Sequence, residues 1–97
     1  MAEKLSTAEI QNRLKALNGW EWTNNAIKKQ YVFESFMPAI RFVNRVAALA
    51  EAVDHHPDIT INYRKVTMGL STHSAGGLTQ KDFALAEKID GAADEPR

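Results

Sequence analysis

Three histidines carry most of the chemistry available to this sequence. His55 and His56 are adjacent in Asp54-His55-His56-Pro57, and His73 follows in Ser71-Thr72-His73-Ser74. Imidazole titrates near neutral pH, so it can give or take a proton under working conditions. Three carboxylates accompany them: Glu51, Asp54 and Asp82. A carboxylate beside an imidazole fixes which nitrogen holds the proton and raises the basicity of the ring. If helical geometry persists through His55, Glu51 stands one turn before it, at i and i+4.

Other roles compete for the same residues. A lone histidine is usually structural or solvated, but three near the ends of elements, with three acids nearby, fit that role less well. Three imidazoles also match the ligand set of a catalytic zinc, although the adjacent pair departs from the i, i+4 spacing of the common helical zinc motif. Asp82 follows Thr79 by three residues, and from spacing alone capping of a helix N-terminus is its simpler role. With no cysteine in the chain, there is no thiolate nucleophile or ligand and no disulfide framework.

The elements that must position these residues follow from capping, turn chemistry and periodicity. Ser6-Thr7-Ala8-Glu9 has the form of a capping box, and Ile10, Leu14 and Leu17 recur at helical spacing until Asn18-Gly19 stops the helix. Trp20-Glu21-Trp22 alternates as a strand, Asn24-Asn25 supplies a turn, and residues 27–33 form a second strand. Lys29 falls on the same face as Ile27, Tyr31 and Phe33, an imperfection in the alternation. The Lys28-Lys29 doublet reads as a solvated strand edge rather than a phosphate site.

Ser35 starts a helix that tolerates Pro38 in its first turn and runs to about Val53. Phe36, Ile40, Val43, Ala47 and Ala50 line one side of it, and Phe42, Val46, Leu49 and Val53 an adjacent one. So wide an apolar stripe exceeds what one small sheet covers, and an oligomer interface is favoured over burial within the monomer. Pro57 ends the helical region by pushing His56 toward extended geometry. Ile59, Ile61 and Tyr63, then Val66, Met68 and Leu70, alternate about Arg64-Lys65 as a second hairpin. Ser74-Ala75-Gly76-Gly77 reads as a flexible loop. Thr79 and Asp82 open a last helix, with Leu78 able to staple onto Phe83, and Ala86 and Ile89 continuing its face. The order α-β-β-α-β-β-α makes this an α+β chain, an antiparallel sheet with helices on one face.

Ninety-seven residues suit a single domain, 1–97, with residues 1–5 and the polar tail 91–97 expected to fray. Twelve basic residues balance twelve acidic ones, so there is no general attraction to nucleic acid. The sequence has no apolar run long enough to span a bilayer and no secretory signal pattern. A cytoplasmic location is therefore the expectation.

From Glu51 to Asp82 the chain reads Glu-Ala-Val-Asp-His-His-Pro, then Tyr63 and Val66, then Leu-Ser-Thr-His-Ser-Ala-Gly-Gly-Leu-Thr-Gln-Lys-Asp. This resembles the signature of the pterin-4a-carbinolamine dehydratases, whose animal members double as a dimerisation cofactor for a homeodomain transcription factor. The likeness continues upstream through Gly19-Trp20, the 27–33 strand, Phe36 and Asn44-Arg45-Val46, and so covers nearly the whole chain. The resemblance implies a four-stranded antiparallel sheet with three helices on one face, and dimers or tetramers joined through sheet edges and the long helix. It implies His55, His56 and His73 as the acid–base groups. Glu51, Asp54, Ser71, Thr72, Ser74 and Asp82 would stand around the pterin. No metal or cofactor is implied, and an aromatic amino acid hydroxylase would supply the substrate. Two departures bear on pterin preference: Ile59 and Ala75 stand where animal members carry tryptophan and cysteine. The other function the resemblance allows is a protein-binding or dimerisation module that uses the same fold.

Overall fold

The computed structural model describes residues 3–94. Its elements are α1 (Thr7–Leu14), β1 (Glu21–Thr23), β2 (Ala26–Val32), α2 (Phe36–Val53), β3 (Asp58–Asn62), β4 (Lys65–Leu70), a 3-10 turn (His73–Ala75) and α3 (Gln80–Ala93). The four strands form one antiparallel sheet in the order β1-β2-β4-β3. The architecture matches the one implied by the sequence. Among the described residues, no helix is long and apolar enough to cross a membrane.

Strand register puts the apolar residues on one face. Ile27 opposes Leu70, Tyr31 opposes Val66, and Ile59 and Ile61 oppose Met68 and Val66. Ile27, Tyr31, Val66, Met68 and Leu70 are buried in one core with Ala39, Phe42 and Val46 of α2 and Phe83, Leu85, Ala86 and Ile89 of α3. The Phe42 ring anchors the centre, with centroids 4.8 Å from Tyr31 and 5.0 Å from Phe33. Lys28, Gln30 and Thr67 alternate with these residues and form the opposite, polar face.

Lys29, on the buried face, is accommodated by charge. Its ammonium donates to Asn18 O at 2.7 Å and to Asp90 Oδ1 at 2.9 Å. Trp20 Nε1 and the Tyr31 hydroxyl also donate to Asp90. Burial and the neighbouring Asp90 carboxylate push the Tyr31 hydroxyl pKa far above its ordinary value.

Several elements differ from the sequence pattern in instructive ways. The apolar stripe of α2 divides: Ala39, Phe42, Val46 and Ala50 are buried, Ile40 and Val43 are half-buried, and Phe36, Met37 and Ala47 are exposed. Every residue of β3 is exposed, because it is the edge strand and the helices stop short of it. Its hairpin turn falls at Tyr63-Arg64, with Tyr63 at φ 56°. Ser35 occupies the N-cap of α2 without a side-chain capping bond. Helix α3 continues through Gly91 to Ala93, where Ala92 is buried and Arg45 donates from Nε and Nη2 to its carbonyl. At the other terminus, Leu5 N–H donates to Leu78 O at 2.8 Å. Residues 1, 2 and 95–97 of the expected frayed ends lie outside the described residues.

Candidate active site

Topology brings the three histidines together. Asp58, the first residue of β3, pairs with Gly69 near the end of β4. The segment entering β3, Asp54–Pro57, therefore lies beside the segment leaving β4, Ser71–Ser74. A cleft of about 340 Å³ opens there, lined by Asp54, His55, His56, Ser71, Thr72, His73, Ser74 and Lys81.

Helix α2 ends in a way that separates its two histidines. Asp54 adopts the left-handed conformation, φ 51° and ψ 45°. His55 N–H reaches back to Ala50 O at 3.1 Å and Asp54 N–H to Glu51 O at 3.3 Å. This is the Schellman arrangement, with aspartate in the position glycine usually takes. The reversal overturns the expected i, i+4 pairing of Glu51 with His55. Instead, His56 Nε2 lies 2.6 Å from Glu51 Oε1, and His55 Nε2 lies 2.6 Å from Asp82 Oδ1. The first pair is open to solvent; the second is enclosed, with Asp82 fully buried.

Asp82 does cap α3, as its spacing indicated, and it does more. Its Oδ2 accepts Thr79 N–H at 2.9 Å and the Thr72 hydroxyl at 2.9 Å, while Oδ1 faces His55. The Thr72 proton is committed to Asp82, so at the 2.8 Å contact between the two threonine hydroxyls it is Thr79 that donates. Burying a carboxylate is costly unless its lone pairs are satisfied, and three donors satisfy this one. Such an acceptor fixes the proton of His55 on Nε2. Nδ1 then remains the nitrogen available for proton exchange, and it has no protein partner among the described residues.

The loop carrying His73 is tied down rather than loose. Thr72 and Gly77 pair across it, with Thr72 N–H to Gly77 O at 2.9 Å, and Ala75 and Gly76 N–H close the 3-10 turn onto Thr72 O and His73 O. Gly76 sits at φ 73°, where a side chain is disfavoured. His73 and Ser74 are exposed at the cleft.

Of the residues singled out from sequence, Asp54, His55, His56, Ser71, Thr72, His73 and Ser74 line the cleft. Glu51 and Asp82 stand behind His56 and His55. Thr72 is nearly buried, its hydroxyl turned to Asp82. Lys81 is a lining residue that sequence reading missed; its place beside Asp82 in the first turn of α3 was the available signal. Among the described residues, no three His, Cys, Asp or Glu side chains are grouped to hold a metal ion.

A buried carboxylate thus holds one imidazole of a three-histidine cleft. The model of a known family, pterin 4 alpha carbinolamine dehydratase, matches residues 3–92. The chain belongs to the pterin-4a-carbinolamine dehydratase family. It is 59% identical over 90 residues to a provisionally named pterin-4-alpha-carbinolamine dehydratase of Roseiflexus sp. (strain RS-1), covering 93% of this chain and 97% of that one. Identity to a similarly named protein of Sulfolobus acidocaldarius is 45% over 87 residues, with 90% and 96% covered. Among solved structures, a Brucella melitensis protein described as a transcriptional coactivator/pterin dehydratase superposes with a TM-score of 0.91. It is 34% identical, and the match covers 94% of this chain and 99% of that one. A pterin dehydratase-like RuBisCO assembly factor of the alpha-carboxysome shares the fold, with a TM-score of 0.65 at 23% identity over 79% of this chain and 89% of that one.

Proposed function

We propose that the protein dehydrates a 4a-hydroxy-tetrahydropterin to the quinonoid dihydropterin by histidine general acid–base catalysis, with no metal or cofactor taking part. The observation that carries this reading is the cleft in which His55, held through Nε2 by buried Asp82, stands with His56 and His73. The reaction asks mainly for proton placement. The 4a-hydroxyl leaves as water once protonated, and the N5 proton departs to a base, so the net change is loss of one water. Imidazole serves both steps near neutral pH, and such catalysis is worth on the order of 10²–10⁴ in rate.

His55 and His73 are the acid–base pair in this reading, and His56 shapes the site or shares the role. Asp82 orients His55, and Glu51 orients His56. Asp54, Ser71 and Ser74 offer hydrogen bonds to the pterin, the carboxylates accepting from its amino edge. Thr72 acts through Asp82. The product would return to the tetrahydropterin pool used by a hydroxylase of the aromatic amino acid class.

The protein acts as a homo-oligomer. Phe36 and Met37 of α2 and Ile59 and Ile61 of edge strand β3 are exposed apolar side chains, and an open strand edge invites pairing with another copy. The same surface would serve the alternative role of a protein-binding module, and the Brucella relative is described as a coactivator as well as a dehydratase.

Incubation of the purified protein with synthetic 4a-hydroxy-tetrahydropterin tests the reading. Accelerated formation of quinonoid dihydropterin above the spontaneous background is the expected result. A rate equal to background at micromolar enzyme would leave the binding-module role in its place.

A further inference from the structure

We propose that the catalytic cleft continues past His55 into a second pocket, and that the site takes 4a-hydroxy-pterins whose C6 substituent has an apolar section ending in a carboxylate. This rests on the dehydratase reading above and names the substrate class for it. A cavity of about 490 Å³ lies against α3, lined among others by Arg13, Val53, Lys81, Phe83, Glu87 and Lys88. His55 and Lys81 line both this cavity and the 340 Å³ cleft, so the two spaces adjoin at these residues. The cleft alone stands at the small end of the roughly 300–1,000 Å³ typical of small-molecule sites. A fused bicycle suits it, and a long substituent needs the space beyond.

The second cavity has the chemistry for such a substituent. Val53 and Phe83 give it apolar surface, and the Arg13 guanidinium stands 6.0 Å from the centroid of the Phe83 ring. Lys81 and Lys88 lie two turns apart on α3, and neither ammonium has an ion-pair partner among the described residues. Arg13 and both lysines face this cavity with Glu87 as the opposing carboxylate, a local positive excess in a chain of zero net charge. Arg13 is also drawn to Glu9 one turn back, which leaves the lysines as the cations with charge to spare. A pterin seated with C6 toward His55 and Lys81, the residues common to both spaces, would direct its substituent into the second cavity.

Calorimetric titration with two stable dihydropterins tests this, one with a bare methyl at C6 (6-methyl-7,8-dihydropterin) and one with an aminobenzoyl-glutamate tail (7,8-dihydropteroylglutamate). Two solvent-screened ion pairs and one ring contact are expected to make the tailed ligand bind about tenfold tighter. In the Lys81→Ala/Lys88→Ala protein the ratio should fall to about twofold or less, and high salt should reduce it in the same direction. Equal affinities in the unsubstituted protein, or a preference that survives the double substitution, would overturn the proposal. Binding of the methyl ligand without any tail advantage removes this inference alone. Failure of both ligands to bind removes the pterin reading together with it.

Discussion

At the residue scale, the site depends on one buried carboxylate that does two jobs. Asp82 caps α3 and holds His55, and Thr72 and Thr79 hold Asp82. The capping role was legible because it depends on a three-residue spacing. The His55 contact was not, because 27 residues separate the partners and only the β3–β4 hairpin brings them together. Glu51 was matched to the wrong histidine because the left-handed turn at Asp54 is a backbone choice that glycine would have signalled and aspartate did not. Thr72→Val should leave Asp82 short of one donor and Thr79 without its acceptor. The expected cost is about 1–3 kcal/mol in urea unfolding, with kcat reduced more than KM changes; a fully stable and fully active variant would contradict the network. Glu51→Gln is a contrast. That pair is exposed, and its loss should change stability by less than about 1 kcal/mol in the same measurement.

At the element scale, both hairpins, the long helix and the last helix were readable from period and capping. What escaped was coverage, since periodicity says which face is apolar and not whether anything lies over it. Ile59 and Ile61 keep the right face of β3 and remain exposed there. Lys29 broke the alternation of β2 because its partner, Asp90, is on α3. That junction has a pH signature. The fold holds Tyr31 neutral through burial and its bond to Asp90, raising its pKa above the unfolded value of about 10. A group whose folded pKa is raised contributes its stability in full below the unfolded pKa and loses it as pH rises beyond. Wild-type stability should therefore decline from about pH 10 upward more steeply than that of Tyr31→Phe, which forgoes the bond at every pH. Denaturant midpoints from pH 8 to 11 check this, and parallel profiles would remove Tyr31 as the cause.

At the scale of the whole molecule, one small sheet cannot cover the apolar stripe of α2 and the edge at β3. The copies expected to cover them should be visible by sedimentation at micromolar concentration as a dimer or larger. Ile61→Lys should shift that population toward a single-chain species while leaving the fold intact by circular dichroism. A wild-type sample that sediments only as single chains would refute the oligomer. The proton-transfer reading also extends to the whole catalyst: exhaustive chelation should leave turnover unchanged, and a loss restored by zinc would put a metal in the cleft.

The most direct measurement is the background-corrected kcat for 4a-hydroxy-tetrahydropterin dehydration by His55→Ala beside wild type, each in its native oligomeric state. In that variant Asp82 Oδ2 keeps its bonds to Thr72 and Thr79 while Oδ1 loses its donor, so circular dichroism must show a folded protein before the rates are compared. The expected result is a kcat lower by on the order of 10²–10⁴, above a spontaneous rate that must be subtracted first. A folded His55→Ala protein that turns over within a few-fold of wild type would contradict the central role of the His55–Asp82 pair.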